Sequence, residues 1–353
     1  MVFIMRELLL SFELFYERTN IIMDIVLNVI ITLFGFVLLI KGADYFIISS
    51  ASIAKKFNIS PLIIGLTLVA FGTSLPELAV SFIASLSAHA AGTTADIALG
   101  NIIGSNIANL TLILGFSAIM MPIAVKKSMN KQEFPFLVIL TVVFAIVAFF
   151  FQSDAQIIWW EALILLIFFA YYMYLMIHSH KEVQLDEEIH FVDTKKAVIL
   201  LLLGLGGVSL GGYLVTSGSE YIAIELLVNV FSMTATRATT LVGLSIVSLG
   251  TSLPELVTSV VAAKKGENEI ALGNIIGSNV FNTLLIVGLS GLVTPLGVNG
   301  DVLFDIFILM GITIITIVFC ITNQKISKFE GWILIGIYFS YIAFIIIRAS
   351  GLL

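Results

Sequence analysis

Gly72-Thr73-Ser74-Leu75-Pro76-Glu77-Leu78 lies inside an apolar run and returns unchanged as Gly250-Thr251-Ser252-Leu253-Pro254-Glu255-Leu256. A second block, Ile97-Ala98-Leu99-Gly100-Asn101-Ile102-Ile103-Gly104-Ser105-Asn106, also recurs without a change, from Ile270 to Asn279. Two long identities in the same order mean that one half of the chain is a copy of the other. The surroundings are oily: 59% of the 353 residues are hydrophobic and 11% charged, with a mean hydropathy of +1.12. Such a composition excludes an ordinary soluble domain and predicts an all-α polytopic membrane protein. The net charge of -6 says little about partners, because its charges fall in short loops. A lipid bilayer is the expected surrounding, with no nucleic acid and no obligatory protein partner.

Ten hydrophobic runs are long enough, with their flanks, to cross about 30 Å of hydrocarbon. Five make the first half: Ile25 to Ile40, Pro61 to Leu86, Ile97 to Met121, Phe134 to Phe151 and Ile157 to Ile177. Five make the second: Ala197 to Val215, Leu241 to Ala263, Ile270 to Val293, Val302 to Thr322 and Trp332 to Ile347. Leu226 to Thr240 is too polar to cross and reads as a connecting helix or loop. The expected organisation is an extension over residues 1–23, a first five-helix repeat over 24–177, a cytoplasmic linker over 178–196 and a second repeat over 197–353. The extension mixes Arg6, Glu7, Glu13, Glu17 and Arg18 into its apolar residues, unlike a secretory signal. It is expected to lie along the membrane surface, and Met5 and Met23 leave open a native start downstream of residue 1.

An odd number of spans per copy forces the second copy to enter from the opposite side, which gives an inverted repeat with broken helices at the midplane, the architecture of secondary transporters. Positive charge tests this independently, since cytoplasmic loops collect lysine and arginine. With the amino terminus outside, the inner connections hold Lys55, Lys56, Lys126, Lys127, Lys131, Lys181, Lys195, Lys196, Lys264, Lys265, Lys325 and Lys328. The outer ones hold only Arg237 and Arg348. A multi-pass protein of the cell membrane is the expected setting.

Proline removes a backbone donor from a spanning helix, and the carbonyl it frees must find a partner in protein, water or an ion. A carboxylate at the same depth costs roughly 2.5 to 3.5 kcal/mol on insertion scales, so Glu77 and Glu255 demand a named partner. A metal cation is that partner here. Carboxylate, hydroxyl and carbonyl oxygens are hard ligands, suited to sodium or calcium and not to zinc or copper. Thr73 and Ser74 stand four and three residues before Glu77, so their side chains are expected to share a helix face with it, and the same spacing holds for Thr251, Ser252 and Glu255. In the other block Ser105 and Asn109 are four apart, as are Ser278 and Asn282, and offer neutral oxygens. Two carboxylates balance one divalent ion, and several sodium ions in the same cluster would exclude it, which is the physical basis of exchange. No enzyme chemistry and no cofactor is read from these residues.

At these motifs the chain resembles the sodium/calcium exchangers of the calcium/cation antiporter superfamily, in their compact prokaryotic and archaeal form. The resemblance covers essentially everything after Met23. It implies that Glu77, Glu255, Thr73 and Thr251 hold calcium, that Ala70, Ser74, Ser105, Ser248, Ser252 and Ser278 line sodium positions, and that Asn109 and Asn282 lie at the middle. It also implies three sodium ions exchanged per calcium, with the first and sixth spans sliding across the other eight. Gly35, Gly42, Gly204, Gly206, Gly207, Gly211 and Gly212 suit either such a sliding face or plain close packing. Two departures stand out: the archaeal member that serves as the structural reference has aspartate at the place of Asn282, and Ser248 replaces a usual alanine opposite Ala70. Proton/calcium exchangers of the superfamily carry an acid where this chain has Gly104 and Gly277, and potassium-dependent relatives carry one at the place of Asn282. Those two exchanger types, and a passive cation channel, are the alternatives.

Other charged residues read as structural. Lys41 and Asp44 are expected to pair at the end of the first span, and Glu161 and Asp305 to lie at the membrane interface. The acidic, His-containing segment 178–196 lacks a calcium-loop pattern and reads as a solvated linker. Trp159 and Trp160 read as interface anchors, and Cys320, the lone cysteine, as a packing residue.

Overall fold

A computed structural model describes residues 2–127, 129, 131–150, 156–178, 193–229, 231, 233–234, 248–322 and 324–349 of the chain. They form helices almost throughout. The first half contains α1 (Val2–Lys56), α2 (Pro61–Thr73), α3 (Leu75–Ala91), α4 (residues 96–120), α5 (Glu133–Phe150) and α6 (Trp159–His178). The second contains α7 (Thr194–Asn229), α8 (Ser248–Thr251), α9 (Leu253–Lys264), α10 (Asn268–Val293), α11 (Gly300–Thr322) and α12 (Lys328–Ala349). Among the described residues seven helices are long and apolar enough to cross a membrane, and the bent pair α2 and α3 makes an eighth. The protein is therefore an all-helical, multi-pass membrane protein.

Burial separates the helices into two groups. The most apolar windows of α4 and α10 are 78% and 94% buried, whereas those of α1, α6, α7, α11 and α12 are between 11% and 33% buried. The two helices that carry the Gly-Asn block are thus central, and those other five form a shell whose apolar side chains face outward, such as Leu33, Phe34 and Val37 on α1. Outward apolar side chains are what lipid requires.

Two short strand pairings tie the halves together. β1 (Ile123–Ala124), just after α4, pairs antiparallel with β4 (Lys325–Ile326), just before α12. β2 (Gln156–Ile157), just before α6, pairs with β3 (Leu296–Gly297), just after α10. Exchange the halves and each pairing becomes the other.

Some expectations are corrected and others gain detail. α1 runs unbroken from Val2 to Lys56, so residues 2–23 continue the first span's helix instead of forming a separate element. α7 reaches Asn229, so Leu226 to Asn229 closes a long helix, while residues 235–240 lie outside the described part, as do residues 179–192 of the linker and 241–247 of the seventh span. Asp44 does not pair with Lys41; its carboxylate lies 3.0 Å from Lys265, at the end of α9. Glu161 is buried at 1% exposure and accepts a 2.8 Å bond from the Ile158 backbone, capping its own helix. Asp305 is held by a two-pronged contact from Arg348, at 3.1 and 2.9 Å.

Most glycines of α1 and α7 serve close packing, Gly206 excepted. A Cβ at Gly42 would lie 2.6 Å from the Val208 nitrogen, and one at Gly211 would lie 2.5 Å from the Leu39 nitrogen. Main chain therefore meets main chain across this crossing, which only hydrogen-sized side chains permit. Gly273 and Gly277 of α10 do the same against α2, where a Cβ would approach the Leu62 and Leu66 carbonyls at 2.7 and 2.6 Å. A Cβ at Gly100 would meet no described atom.

Candidate ion site

The break in each half begins with a local rule that is then overridden. Ser-Leu-Pro-Glu has the pattern of a helix-capping box, in which a serine caps the helix and the glutamate three residues on bonds back. Ser74 and Ser252 do occupy the residue before α3 and α9, with backbone angles of -83°, 6° and -88°, 3°. Neither side chain caps its helix. Ser74 Oγ instead donates to Glu255 Oε1 at 3.0 Å, and Ser252 Oγ donates to Glu77 Oε1 at 3.1 Å. Each serine has been taken from its own helix start and given to the carboxylate of the other half.

This corrects the expectation of one shared helix face. Pro76 lacks the N–H that would have reached the Gly72 carbonyl, and α2 and α3 meet at a bend of 47°. The i, i+3 and i, i+4 neighbours of Glu77 are therefore redirected, and the cluster is assembled across the two halves. Thr73 donates to Asn274 Oδ1 at 2.9 Å, and Asn274 Nδ2 donates to Ser259 Oγ at 2.9 Å. Asn101 Nδ2 donates to Ser81 Oγ at 3.1 Å, the counterpart of that contact in the first half. These asparagines and serines bolt α4 to α3 and α10 to α9, and nothing but their repetition in the sequence marked them.

Most of the twelve expected site residues lie in this centre. Glu77 and Glu255 are 0% exposed, and their side chains are joined through the crossed serines, neither distant nor turned to lipid. Thr73, Thr251, Ser74, Ser252, Ala70, Ser105, Ser278, Asn109 and Asn282 are all buried. Ser105 Oγ donates to Glu77 Oε1 at 3.4 Å and lies 3.3 Å from Ser252 Oγ. Ser248 opens α8, a turn that ends at Thr251.

The asparagines sit where helix geometry changes. Asn109 opens a π-helical segment, Asn109–Ile113, within α4, and Asn282 lies in Phe281–Ile286, its counterpart in α10. A π-segment inserts an extra residue per turn and re-aims side chains, and such segments concentrate at functional sites. A third, Gly65–Val69, precedes the break in α2.

Five buried oxygens of this cluster have no hydrogen-bond partner within the protein: Glu77 Oε2, Glu255 Oε2, Asn109 Oδ1, Asn282 Oδ1 and Ser278 Oγ. A buried polar atom left alone is destabilising by about 1 to 3 kcal/mol, more if charged, so the two free carboxylate oxygens above all call for a partner. Among the described residues no group of three or more His, Cys, Asp or Glu comes together. The donor set is two carboxylates with neutral hydroxyl and amide oxygens, a hard-cation set with a formal charge of minus two.

Fold and site together define a polytopic helical membrane protein with a duplicated, buried, oxygen-rich acidic centre. Comparison with known proteins places that class within a family. The profile of the sodium/calcium exchanger protein family matches the chain twice, over residues 27–178 and 196–347, and the chain belongs to that family. It is 34% identical over 361 residues to the sodium/calcium exchanger MaX1 of Methanosarcina acetivorans, covering 90% of this chain and 98% of that one. It is 31% identical over 268 residues to the inner membrane protein YrbG of Escherichia coli, covering 74% and 78%. Among solved structures, the sodium-calcium exchanger NCX_Mj superposes with a TM-score of 0.76 at 29% identity, over 91% of this chain and 99% of that one. MaX1 and NCX_Mj are exchangers by name, and the chain is a membrane transporter of that family, not an enzyme.

Proposed function

We propose that this protein is a secondary antiporter of the cell membrane that exchanges sodium for calcium by alternating access, three sodium ions for each calcium ion. The observation that carries the reading is the crossed pair of serine–glutamate bonds, with the second oxygen of each carboxylate left for an ion. One dehydrated calcium ion is neutralised by Glu77 and Glu255, and Thr73 and Thr251 hydroxyls with neighbouring carbonyls complete the six to eight oxygens it takes. Sodium ions at the oxygens of Ala70, Ser74, Ser105, Ser248, Ser252 and Ser278 would crowd that ion out. Asn109 and Asn282 stand between the two sets.

Ten spans in two inverted repeats underlie the site. To the seven long helices and the bent pair are added the shorter apolar helix Glu133–Phe149 and the broken span that ends in α8 and α9. Three ion pairs support the sidedness. Lys126 with Glu269, Lys265 with Asp44 and Arg348 with Asp305 each join segments that the lysine distribution puts on one side. By the same count β1 with β4 is inside and β2 with β3 outside, so the amino terminus is outside and residues 178–196 are cytoplasmic.

α1 and α7 form the moving pair. They are locked to each other by glycine, and they cover the breaks: Phe46 and Leu205 lie over Gly72, and Thr216 lies against Gly250. Sliding this pair would open the centre to one side at a time.

The test is calcium uptake into liposomes loaded with sodium. Uptake is expected to saturate, to require the outward sodium gradient, and to carry one net charge per cycle, so that an imposed membrane potential shifts its reversal point as three-for-one exchange demands. Uptake that follows a pH gradient and ignores sodium would make the protein a proton/calcium exchanger. A requirement for potassium would make it a potassium-dependent one, and flux with no counter-ion a channel.

A further inference from the structure

The two halves are not equivalent at their central asparagines. Asn282 is 0% exposed, and its Nδ2 donates to Asn106 Oδ1 at 3.1 Å. Asn106 is in turn fixed, because its own Nδ2 donates to Thr283 Oγ1 at 2.8 Å. An amide has one acceptor end and one donor end. With Nδ2 engaged, Asn282 must turn Oδ1 away from Asn106, and Oδ1 is among the buried oxygens without a protein partner. The first half lacks this arrangement. The counterpart of Asn106 is Asn279, whose Nδ2 donates back to the Ile275 carbonyl of its own helix at 2.8 Å. Both amide atoms of Asn109 are accordingly without a partner in the protein.

We propose that Asn106, which is not itself an ion ligand, is the positioning residue that holds the Asn282 amide with its oxygen toward the centre, making position 282 a fixed oxygen ligand while the amide of Asn109 stays free to turn. The inference rests on the reading of the centre as a cation site. A carboxylate at 282 would need no such clamp, since its two oxygens are alike. An amide does need one, because a half-turn would aim a partly positive N–H at the ion. Asn106 and Thr283 thus let a neutral residue serve where charge is absent, and Thr73, Ser74 and the two glutamates contribute nothing to this orientation.

The experiment is a double-mutant cycle on sodium-dependent calcium uptake in liposomes, read as the sodium KM and kcat separately. Asn106→Ala is expected to raise the sodium KM about tenfold, the loss of one buried orienting bond, with a smaller change in kcat. In an Asn282→Asp background the same substitution is expected to change the sodium KM less than about twofold, because the residue to be oriented is gone. Asn279→Ala, which breaks only a bond within its own helix, is expected to leave the sodium KM within about twofold. Thr283→Val, which removes the acceptor that steadies Asn106, is expected to raise it in the same direction by less, and it decides the matter if Asn106→Ala does not fold. An equal rise in both backgrounds, an equal rise in Asn279→Ala, or a fall in kcat at constant KM would overturn the assignment. Wild-type uptake that ignores sodium would instead remove the reading on which it rests.

Discussion

Glu77→Gln and Glu255→Gln are each expected to lower sodium-driven calcium uptake by roughly a hundredfold or more, while leaving the amount of folded protein unchanged. Glutamine keeps the size of the side chain and an oxygen for the crossed serine, Ser252 in one case and Ser74 in the other. What it removes is one of the two charges that balance the divalent ion. Breaking one side of a buried charge pair is destabilising by about 3 to 5 kcal/mol, and each 1.4 kcal/mol is about tenfold in affinity. The effect falls on the ion-bound state alone, so elution as a single folded species in detergent should match the wild type. Because the crossed bonds make the halves reciprocal, both variants should fail alike. Near-wild-type uptake in either would remove that glutamate from the site.

Gly211→Val and Gly42→Val should abolish transport by a different route. A Cβ at either position would lie within about 2.6 Å of backbone nitrogen on the facing helix, so α1 and α7 must separate before any larger side chain fits. Overpacking of this kind is destabilising by about 1 to 3 kcal/mol, and it also lifts Phe46 and Leu205 off Gly72. The expected result is a lower melting temperature in detergent together with loss of uptake per folded molecule. Gly206→Ala is the control, since a Cβ there meets nothing within 4 Å, and it should leave both quantities unchanged. A Gly211→Val protein that melts and transports like the wild type would mean the two helices are not so tightly joined.

The duplicated blocks made the membrane fold and the identity of the central acids legible, because an intramembrane Pro-Glu has few uses and a repeated one fewer still. Helix spacing misled at Ser74. Four-residue periodicity assumes an unbroken helix, and Pro76 breaks it, so Ser74 serves the opposite half. The roles of Asn101, Asn274, Ser81 and Ser259 are not legible for a related reason: their bonds join separate helices, and no local spacing encodes them. Sequence proximity points Asp44 to Lys41, yet Lys265 arrives from the far half of the chain. Glu161 stands at a span end, and its helix-capping bond to Ile158, which residue type alone does not announce, lets it be buried there. The π-segments at Asn109 and Asn282 leave no signature in residue type at all, and with them went the difference between the two asparagines.

Equilibrium calcium binding to the purified protein, titrated against sodium, addresses the shared ion most directly. The centre described here predicts one calcium ion per chain, displaced by sodium with a cooperative dependence, and undetectable in Glu77→Gln and in Glu255→Gln. Two calcium ions per chain, one surviving in each variant, would mean that the halves hold separate ions and that the crossed serines join nothing but structure.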